Sequence, residues 1–284
     1  MKKIKRILII ILSTLLLLSS CSKQNEDNVI KIGIDLKYPP FMYLNENGVP
    51  TGLEPDIARA FGEYLNMEVE IINTDFSMLI PSLETGEVDI VISDMSVTEE
   101  RKQKVDFTDG YRYGKTTALV NKEFYEKNNI SDNMDVDTFF HLEGIKCIGL
   151  SGTVGTIIPQ RYGIEPDEAT EIATAIMEVK NGTSNVLVGS YVIFGDHAAN
   201  KETTEIYLGI PDYATSAFAV KKGNSELLNQ ANQFIKTLYQ EGGLYDQIKE
   251  KYDSEIKEIF FDENLGLEYI TKMPEWGWYD KNFV

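Results

Sequence analysis

The chain has 284 residues, a formal charge of -18 and 43% hydrophobic residues. A surface this acidic repels the phosphates of nucleic acids and anionic lipid head groups, so nucleic acid is excluded as a partner. The hydrophobic content is that of a packed globular protein, and the length is sufficient for one large domain or two lobes.

The first twenty residues have the pattern of a secretory signal peptide. Four cations stand within the first six positions, and an apolar run follows from Ile7 to Leu18. That run is shorter than the roughly twenty apolar residues that a membrane-spanning helix needs. We therefore predict that residues 1–20 are removed and that the mature protein is extracytoplasmic.

Cys21 directly follows this segment. The sequence LSS before it resembles the lipobox of bacterial lipoproteins. The resemblance implies a lipidated Cys21, with residues 21–28 as a tether to the outer face of the cytoplasmic membrane. The alternative is an ordinary cleaved signal followed by an unmodified cysteine. Cys147, in an apolar run, is predicted to be a buried structural thiol, and the two cysteines and two histidines offer no metal-ligand spacing.

From residue 29 onwards, short apolar runs alternate with amphipathic segments. The patterns predict strands at 29–34, 67–72, 88–92, 145–150 and 186–188, extended chain at 112–121 and 214–221, and helices at 54–66, 77–85, 154–161, 173–180, 191–199 and 225–240. Gly86 is the expected C-terminal cap of the helix at 77–85, and Thr98 is the expected N-terminal cap of a short helix that begins at Glu99. This alternation is typical of α/β proteins with parallel sheets. A C-terminal tail at 258–284 is rich in aromatic residues, including Trp276 and Trp278, and we expect it to pack against the body.

Polar and aromatic residues follow several of the predicted strands. Ligands of open α/β sheets bind beyond the carboxyl ends of the strands, so these residues are candidates for a binding site. Arg101 offers a planar fork to a carboxylate, and Asp35 and Asp94 offer carboxylates to a cation. Taken singly, each is by default a turn, core or surface residue. The candidate set is Asp35, Tyr38, Phe76, Ser93, Asp94, Ser96, Arg101, Thr153, Val154 and Ser190.

Five ordered motifs resemble those of the periplasmic solute-binding proteins of amino-acid ABC transporters, solute-binding family 3. They are IGID at 32–35 with YPPF at 38–41, GLEPDIA at 52–58, DFSMLIPSL at 75–83, GEVDI at 86–90, and SVTEER at 96–101 with VDFT at 105–108. The resemblance covers about residues 29–253. It implies a two-lobed α/β fold of the periplasmic-binding-protein type II, each lobe a mostly parallel sheet flanked by helices. Lobe 1 would comprise 29–115 and 216–284, and lobe 2 would comprise 116–215, with two hinge strands that let the lobes close on a ligand.

The resemblance also implies roles for the candidate residues. Arg101, Ser96 and the backbone near Val154 would bind the ligand's α-carboxylate, Tyr38 and Phe76 would stack on its side chain, and Asp35 would meet a polar or cationic group. The family usually places an acid for the α-ammonium where this chain has Ser190, and glycine or serine where it has Asp94. We interpret this as relocation of the acid to Asp94. The alternatives are a slip in the correspondence near residue 190 or a ligand without an ordinary α-ammonium.

The predicted function is therefore capture of a polar or cationic amino acid by a monomer that delivers it to ABC permease subunits, with no catalytic residue, metal or cofactor. Asp35 and Asp94 disfavour acidic amino acids through like-charge repulsion. Two other classes stay open. One is a ligand sensor for a membrane receptor, and the other is a dehydratase-like enzyme on the same fold, with Asp35 or Asp94 as general acid.

Overall fold

Two β-sheets flanked by helices form the framework of the protein. The computed structural model describes residues 28–190, 193–240, 242–260, 266–267 and 271–272. The strands are β1 (Val29–Ile34), β2 (Lys37–Tyr38), β3 (Met42–Leu44), β4 (Pro50–Thr51), β5 (Glu68–Asn73), β6 (Ile90–Val91), β7 (Val105–Phe107), β8 (Arg112–Asn121), β9 (Cys147–Leu150), β10 (Asp167–Ala169), β11 (Val186–Ser190), β12 (Thr204–Tyr207), β13 (Tyr213–Ser216), β14 (Ala219–Lys221) and β15 (Thr271–Lys272). The helices are α1 (Leu53–Leu65), α2 (Leu79–Thr85), α3 (Glu99–Lys102), α4 (Lys122–Lys127), α5 (Val136–Phe140), α6 (Val154–Arg161), α7 (Ile172–Asn181), α8 (Phe194–Ala199), α9 (Ser225–Leu238) and α10 (Leu244–Phe260).

The first sheet has the strand order β5-β1-β6-β14-β7. β1 pairs in parallel with β5 and β6, and β14 is antiparallel to both of its neighbours. β1 is covered on both faces. Ile32 belongs to the hydrophobic cluster that contains Phe61 of α1, whereas Gly33, on the opposite face, lies against Leu79 of α2. This coverage on both faces explains why β1 is apolar apart from the exposed Lys31.

The second sheet repeats this arrangement with the order β10-β9-β11-β8-β12. β9 is parallel to β10 and β11, and β8 is antiparallel to β11 and β12. In the first sheet β14 alone is antiparallel to the other four strands, and in the second order β8 alone is antiparallel to the other four. We call the part of the protein built on the first sheet lobe 1 and the part built on the second sheet lobe 2. The two-lobed α/β fold expected from the sequence is confirmed.

The chain crosses between the lobes along two paired segments. The first four residues of β8 pair with β13, and its later residues pair with β11 and β12. Residues 214–221, expected as one strand, form two: β13 ends at Ser216, and β14 begins at Ala219 in the first sheet. The interruption falls where the chain passes from lobe 2 to lobe 1. The expected lobe bounds at 115/116 and 215/216 stay predictions.

A segment of the C-terminal tail joins this crossing. β15 pairs antiparallel with Tyr113 and Gly114 of β8, the same residues that pair with Thr215 and Ala214 of β13. The crossing therefore has three strands at this level. The tail's two tryptophans lie outside the described residues, as do the predicted signal peptide at 1–20 and Cys21.

Apolar side chains of the two lobes are in contact. Phe194 of α8, from lobe 2, belongs to the same hydrophobic cluster as Leu36 and Tyr38 of lobe 1. Cys147 is buried, and burial raises the pKa of its thiol to about 12, as expected for an unreactive structural cysteine. Within the described ranges, no helix has the length and apolar character needed to cross a membrane.

Candidate functional site

A cavity of about 70 Å³ lies between the lobes, where β6, β9 and β11 end. We call it the interlobe cavity. Its lining from lobe 1 comprises Tyr38, Met42, Phe76, Ser93, Asp94 and Ser96, and its lining from lobe 2 comprises Leu150, Thr153, Val154, Ile172, Leu187, Val188, Gly189, Ser190 and Ile193. Eight of the ten candidate residues are in this lining, and Asp35 and Arg101 lie in adjoining crevices. Apart from Val154, the apolar lining residues of lobe 2 were not predicted, because their local sequence is that of ordinary core residues.

The amino end of α6 borders the cavity because two glycines let the helix lie against the sheet. A Cβ on Gly155 would stand 2.3 Å from the carbonyl oxygen of Val188, and one on Gly149 would stand 2.4 Å from the carbonyl carbon of Gly155. Thr153 caps the helix, and its hydroxyl accepts a hydrogen bond from Gly155 N at 3.1 Å. The first-turn N–H groups of a helix lack intrahelical partners, so this end favours an anion.

Arg101 lies in a crevice beside the cavity, which we call the arginine crevice. The two share Phe76 and Leu150 in their linings. The predicted cap, Thr98, begins α3 and so fixes the position of Arg101. The Arg101 guanidinium donates through Nη1 to the Ser96 carbonyl at 2.8 Å and through Nη2 to the Gly152 carbonyl of lobe 2. Its central carbon lies 5.0 Å from the centroid of the Phe76 ring.

The Arg101 side chain is buried, yet no carboxylate within the described ranges forms an ion pair with it. Burial lowers the pKa of the guanidinium to about 10, which still leaves it charged at neutral pH. A buried cation that meets only carbonyl dipoles and an aromatic face is incompletely compensated. An anion bound next to it would supply that compensation.

Asp35 lies in a narrow crevice that shares Tyr38 and Phe76 with the cavity lining and that we call the acidic crevice. The residue is 2% exposed, and its Oδ1 has no hydrogen-bond partner in the described structure. Ser93 fixes it, because the Ser93 hydroxyl accepts a hydrogen bond from Asp35 N at 3.0 Å. Burial raises the pKa of the Asp35 carboxyl to about 6. A donor or cation is the group that the unpartnered oxygen suits.

Asp94 is part of a buried charge network that the sequence did not reveal. Its Oδ1 accepts hydrogen bonds from Arg112 Nη2 at 2.9 Å and from the Ser216 hydroxyl, and Arg112 also pairs with Glu54. Tyr111 OH lies 2.8 Å from both Glu54 carboxylate oxygens, and burial raises the pKa of Glu54. Asp94 therefore shares its guanidinium with a second carboxylate.

Among the described lining residues, Asp94 alone carries a carboxylate. Ser190, at the end of β11, contributes a hydroxyl group where the family resemblance led us to expect an acid. The described ranges contain no cluster of three or more histidine, cysteine or acidic side chains that could hold a metal ion.

Replacing Asp35 by asparagine is expected to stabilise the protein at pH 7. The folded-state pKa of about 6 exceeds the ordinary value of 3.8, so the folded protein loses stability as pH rises between these two values. Removing this ionisation is expected to raise the free energy of unfolding at pH 7 by about 1–3 kcal/mol. Urea denaturation of both proteins at pH 5 and pH 7 measures the effect. An equal difference at both pH values would show that ionisation of Asp35 is not its source.

A two-lobed α/β protein whose polar and aromatic side chains converge on a cavity between the lobes is a solute-binding protein in its architecture. The chain belongs to the bacterial extracellular solute-binding proteins, family 3, whose family model matches residues 30–255. The resemblance seen in the motifs is thereby confirmed.

Comparison with individual proteins agrees with this assignment. The chain is 30% identical over 244 residues to the L-arginine-binding protein of Pseudomonas aeruginosa, covering 80% of this chain and 89% of that protein. It superposes with a TM-score of 0.67 on an ancestral arginine-binding protein bound to arginine, at 28% identity, covering 79% of this chain and 98% of the other. It is also similar to an ancestral amino acid-binding protein described as a precursor of cyclohexadienyl dehydratase, with a TM-score of 0.67 and 29% identity, covering 80% of this chain and 96% of the other.

Proposed function

We propose that this chain captures a polar or cationic amino acid, preferentially a basic one, in the interlobe cavity. The observation that carries the proposal is a pair of incompletely compensated groups in two crevices that adjoin the cavity. One is the buried Arg101 guanidinium, and the other is the buried Asp35 carboxylate, whose Oδ1 accepts no hydrogen bond in the described structure. A zwitterion with a basic side chain offers an anion to the first group and a hydrogen-bonding cation to the second. The arginine-binding relatives support the same class of ligand.

In this proposal the α-carboxylate takes the place of the Gly152 carbonyl as a partner of Arg101 and also meets the first turn of α6. Charge-assisted, bidentate hydrogen bonds between guanidinium and carboxylate are stronger than those to a neutral carbonyl, so the exchange is favourable. The ligand side chain passes between Tyr38 and Phe76, which border both the cavity and the acidic crevice. There it reaches Asp35.

The cavity of about 70 Å³ has space for roughly five water molecules, fewer than the heavy atoms of any basic amino acid. Accommodating such a ligand would therefore require the lobes to move apart. The paired strands β8 and β13, where the chain crosses between lobes, are the elements that would bend.

A thermal-shift screen of the twenty amino acids on ligand-stripped protein tests the proposal. Basic amino acids, and to a smaller extent amides, are expected to raise the unfolding midpoint. Aspartate and glutamate are expected to leave it unchanged, because Asp35 and Asp94 repel a second carboxylate. Stabilisation by glutamate with none by basic or amide amino acids would overturn the proposal. Mass spectrometry of the incubated ligands, with any change in mass indicating turnover, separates a binding protein from an enzyme.

Asp94 is proposed as the partner of the ligand's α-ammonium, replacing the acid expected at position 190. It lines the cavity, and it shares one guanidinium with Glu54, which leaves its charge only partly compensated. Asp94→Asn is expected to weaken arginine binding about tenfold, in line with one lost charged hydrogen bond. It should weaken binding of 5-guanidinopentanoate, which lacks the α-ammonium, by less than about twofold. Equal losses for both ligands, measured by calorimetry, would overturn this role.

We also propose that the protein is anchored by lipid at Cys21 and delivers the captured amino acid to ABC permease subunits. The support is the family membership together with the LSSC sequence at 18–21. Cys21→Ser is expected to release the protein from the membrane fraction into the medium or the soluble fraction. Retention in the membrane fraction by the serine variant would contradict anchoring through Cys21.

A further inference from the structure

Lys37 occupies the acidic crevice that the ligand's basic side chain would enter. Its Nζ lies 2.8 Å from Asp75 Oδ1, 3.1 Å from Glu171 Oε2 and 3.9 Å from Asp35 Oδ1. Asp35 and Asp75 belong to lobe 1, whereas Glu171 directly precedes α7 of lobe 2. One ammonium group therefore bridges three carboxylates and both lobes.

The charges in this crevice are unbalanced. Three carboxylates face a single cation, and only two of them lie within hydrogen-bond distance of it. Asp35, the most deeply buried of the three, is the one left with an unpartnered oxygen. The crevice thus retains negative charge even with Lys37 inside it, and this charge attracts the basic group that would replace Lys37.

Lys37 is also free to leave the crevice at small cost. Its side chain is 34% exposed, and those of Asp75 and Glu171 are 57% and 51% exposed. Ion pairs at this level of exposure contribute little to stability, because water and salt screen them. Lys37 stands next to Tyr38 on β2, so an outward rotation of its side chain opens the crevice without a change in the cavity wall.

We infer that Lys37 is a built-in competitor for the ligand's basic group and sets the preference of the site between basic and neutral amino acids. This inference rests on the proposed function. The Lys37 ammonium lies where the guanidinium or ammonium group of a basic ligand would bind. A basic ligand must displace it from Asp75 and Glu171, whereas a neutral amide ligand need not. Glu171 of lobe 2 is a second residue that sets this preference. Its carboxylate adds negative charge to the crevice only when the lobes are closed.

Calorimetric titration of Lys37→Met and Glu171→Gln with arginine and with glutamine tests this inference. Lys37→Met is expected to tighten arginine binding about three- to tenfold, the size of a partly exposed ion-pair effect, and to change glutamine binding less than about twofold. Glu171→Gln is expected to weaken arginine binding by a similar factor and to leave glutamine binding unchanged. Lys31→Met is the matched control, because Lys31 is an exposed lysine on β1 whose removal changes the total charge equally.

The outcomes separate the inference from the proposed function. If Lys37→Met weakens arginine and glutamine binding by the same factor, Lys37 stabilises the closed lobes and is not a competitor. If Lys37→Met and Lys31→Met give the same ratio of arginine affinity to glutamine affinity, the change in arginine binding comes from the total charge of the protein. Either result overturns the inference while arginine binding by the parent protein upholds the proposed function. Absence of amino-acid binding by the parent overturns both.

Discussion

Arg101→Met is expected to weaken arginine binding by about 100- to 1,000-fold, because it removes two charge-assisted hydrogen bonds to the α-carboxylate. The same loss is expected for glutamine, since Arg101 binds the backbone carboxylate that all amino acids share. This equality distinguishes Arg101 from Asp35 and Lys37, whose effects should depend on the ligand's side chain. Calorimetric titration with both ligands measures the losses.

Arg59→Met serves as the control for Arg101. Arg59 is a half-exposed arginine of α1 that pairs with Asp56, and it borders neither the cavity nor the crevices described above. Arginine binding should be unchanged in this variant. Arg101→Lys should recover part of the lost affinity, because it keeps the charge without the planar fork. A loss below about threefold in a folded Arg101→Met protein would show that the carboxylate binds elsewhere.

Arg112→Met is expected to lower the free energy of unfolding by about 3–5 kcal/mol, the usual consequence of leaving a buried charge without its partner. Arg112 pairs with both Glu54 and Asp94, and all three side chains are at most 5% exposed. Its loss leaves two buried carboxylates close together. The deficit should shrink as pH falls from 7 to 5. Burial already raises the pKa of Glu54, and loss of the neighbouring guanidinium charge raises it further, so the folded variant takes up a proton before the unfolded chain does.

Urea denaturation at the two pH values tests this expectation. The double variant Arg112→Met, Glu54→Met should recover part of the lost stability, since it removes one of the stranded carboxylates. A deficit below about 1 kcal/mol in the single variant, or one that grows on acidification, would show that the network does not depend on the guanidinium charge.

Much of the framework could be predicted from local patterns. The predicted helix at 154–161 matches α6, and the expected cap at Gly86 has the left-handed φ of 79° that a glycine there allows. Thr98 caps α3 as expected. These features depend on residues that are neighbours in the chain, and their physical signals are local. The break between β13 and β14 was missed because residues 214–221 contain no glycine or proline to mark it.

The partners of the charged residues could not be predicted. Glu54 and Arg112 are 58 positions apart, and Lys37 and Glu171 are 134 apart. The local sequence around each of these four charged residues is typical of a surface position, and only the fold brings the partners together. The positions of Asp35 and Arg101 relative to the cavity depend on side-chain orientation, which strand and helix patterns do not specify. Sequence patterns can therefore place a site at the ends of the strands without showing which charges compensate each other there.

Calorimetric titration of ligand-stripped protein with L-arginine and with L-glutamate tests most directly whether the interlobe cavity and its two crevices bind a basic zwitterion. Arginine is expected to bind at one site per chain with a Kd in the micromolar range or below, corresponding to about -8 kcal/mol or more favourable. Glutamate is expected to give no measurable binding under the same conditions. Binding of glutamate more tightly than arginine would contradict the charge arrangement that Arg101 and Asp35 define.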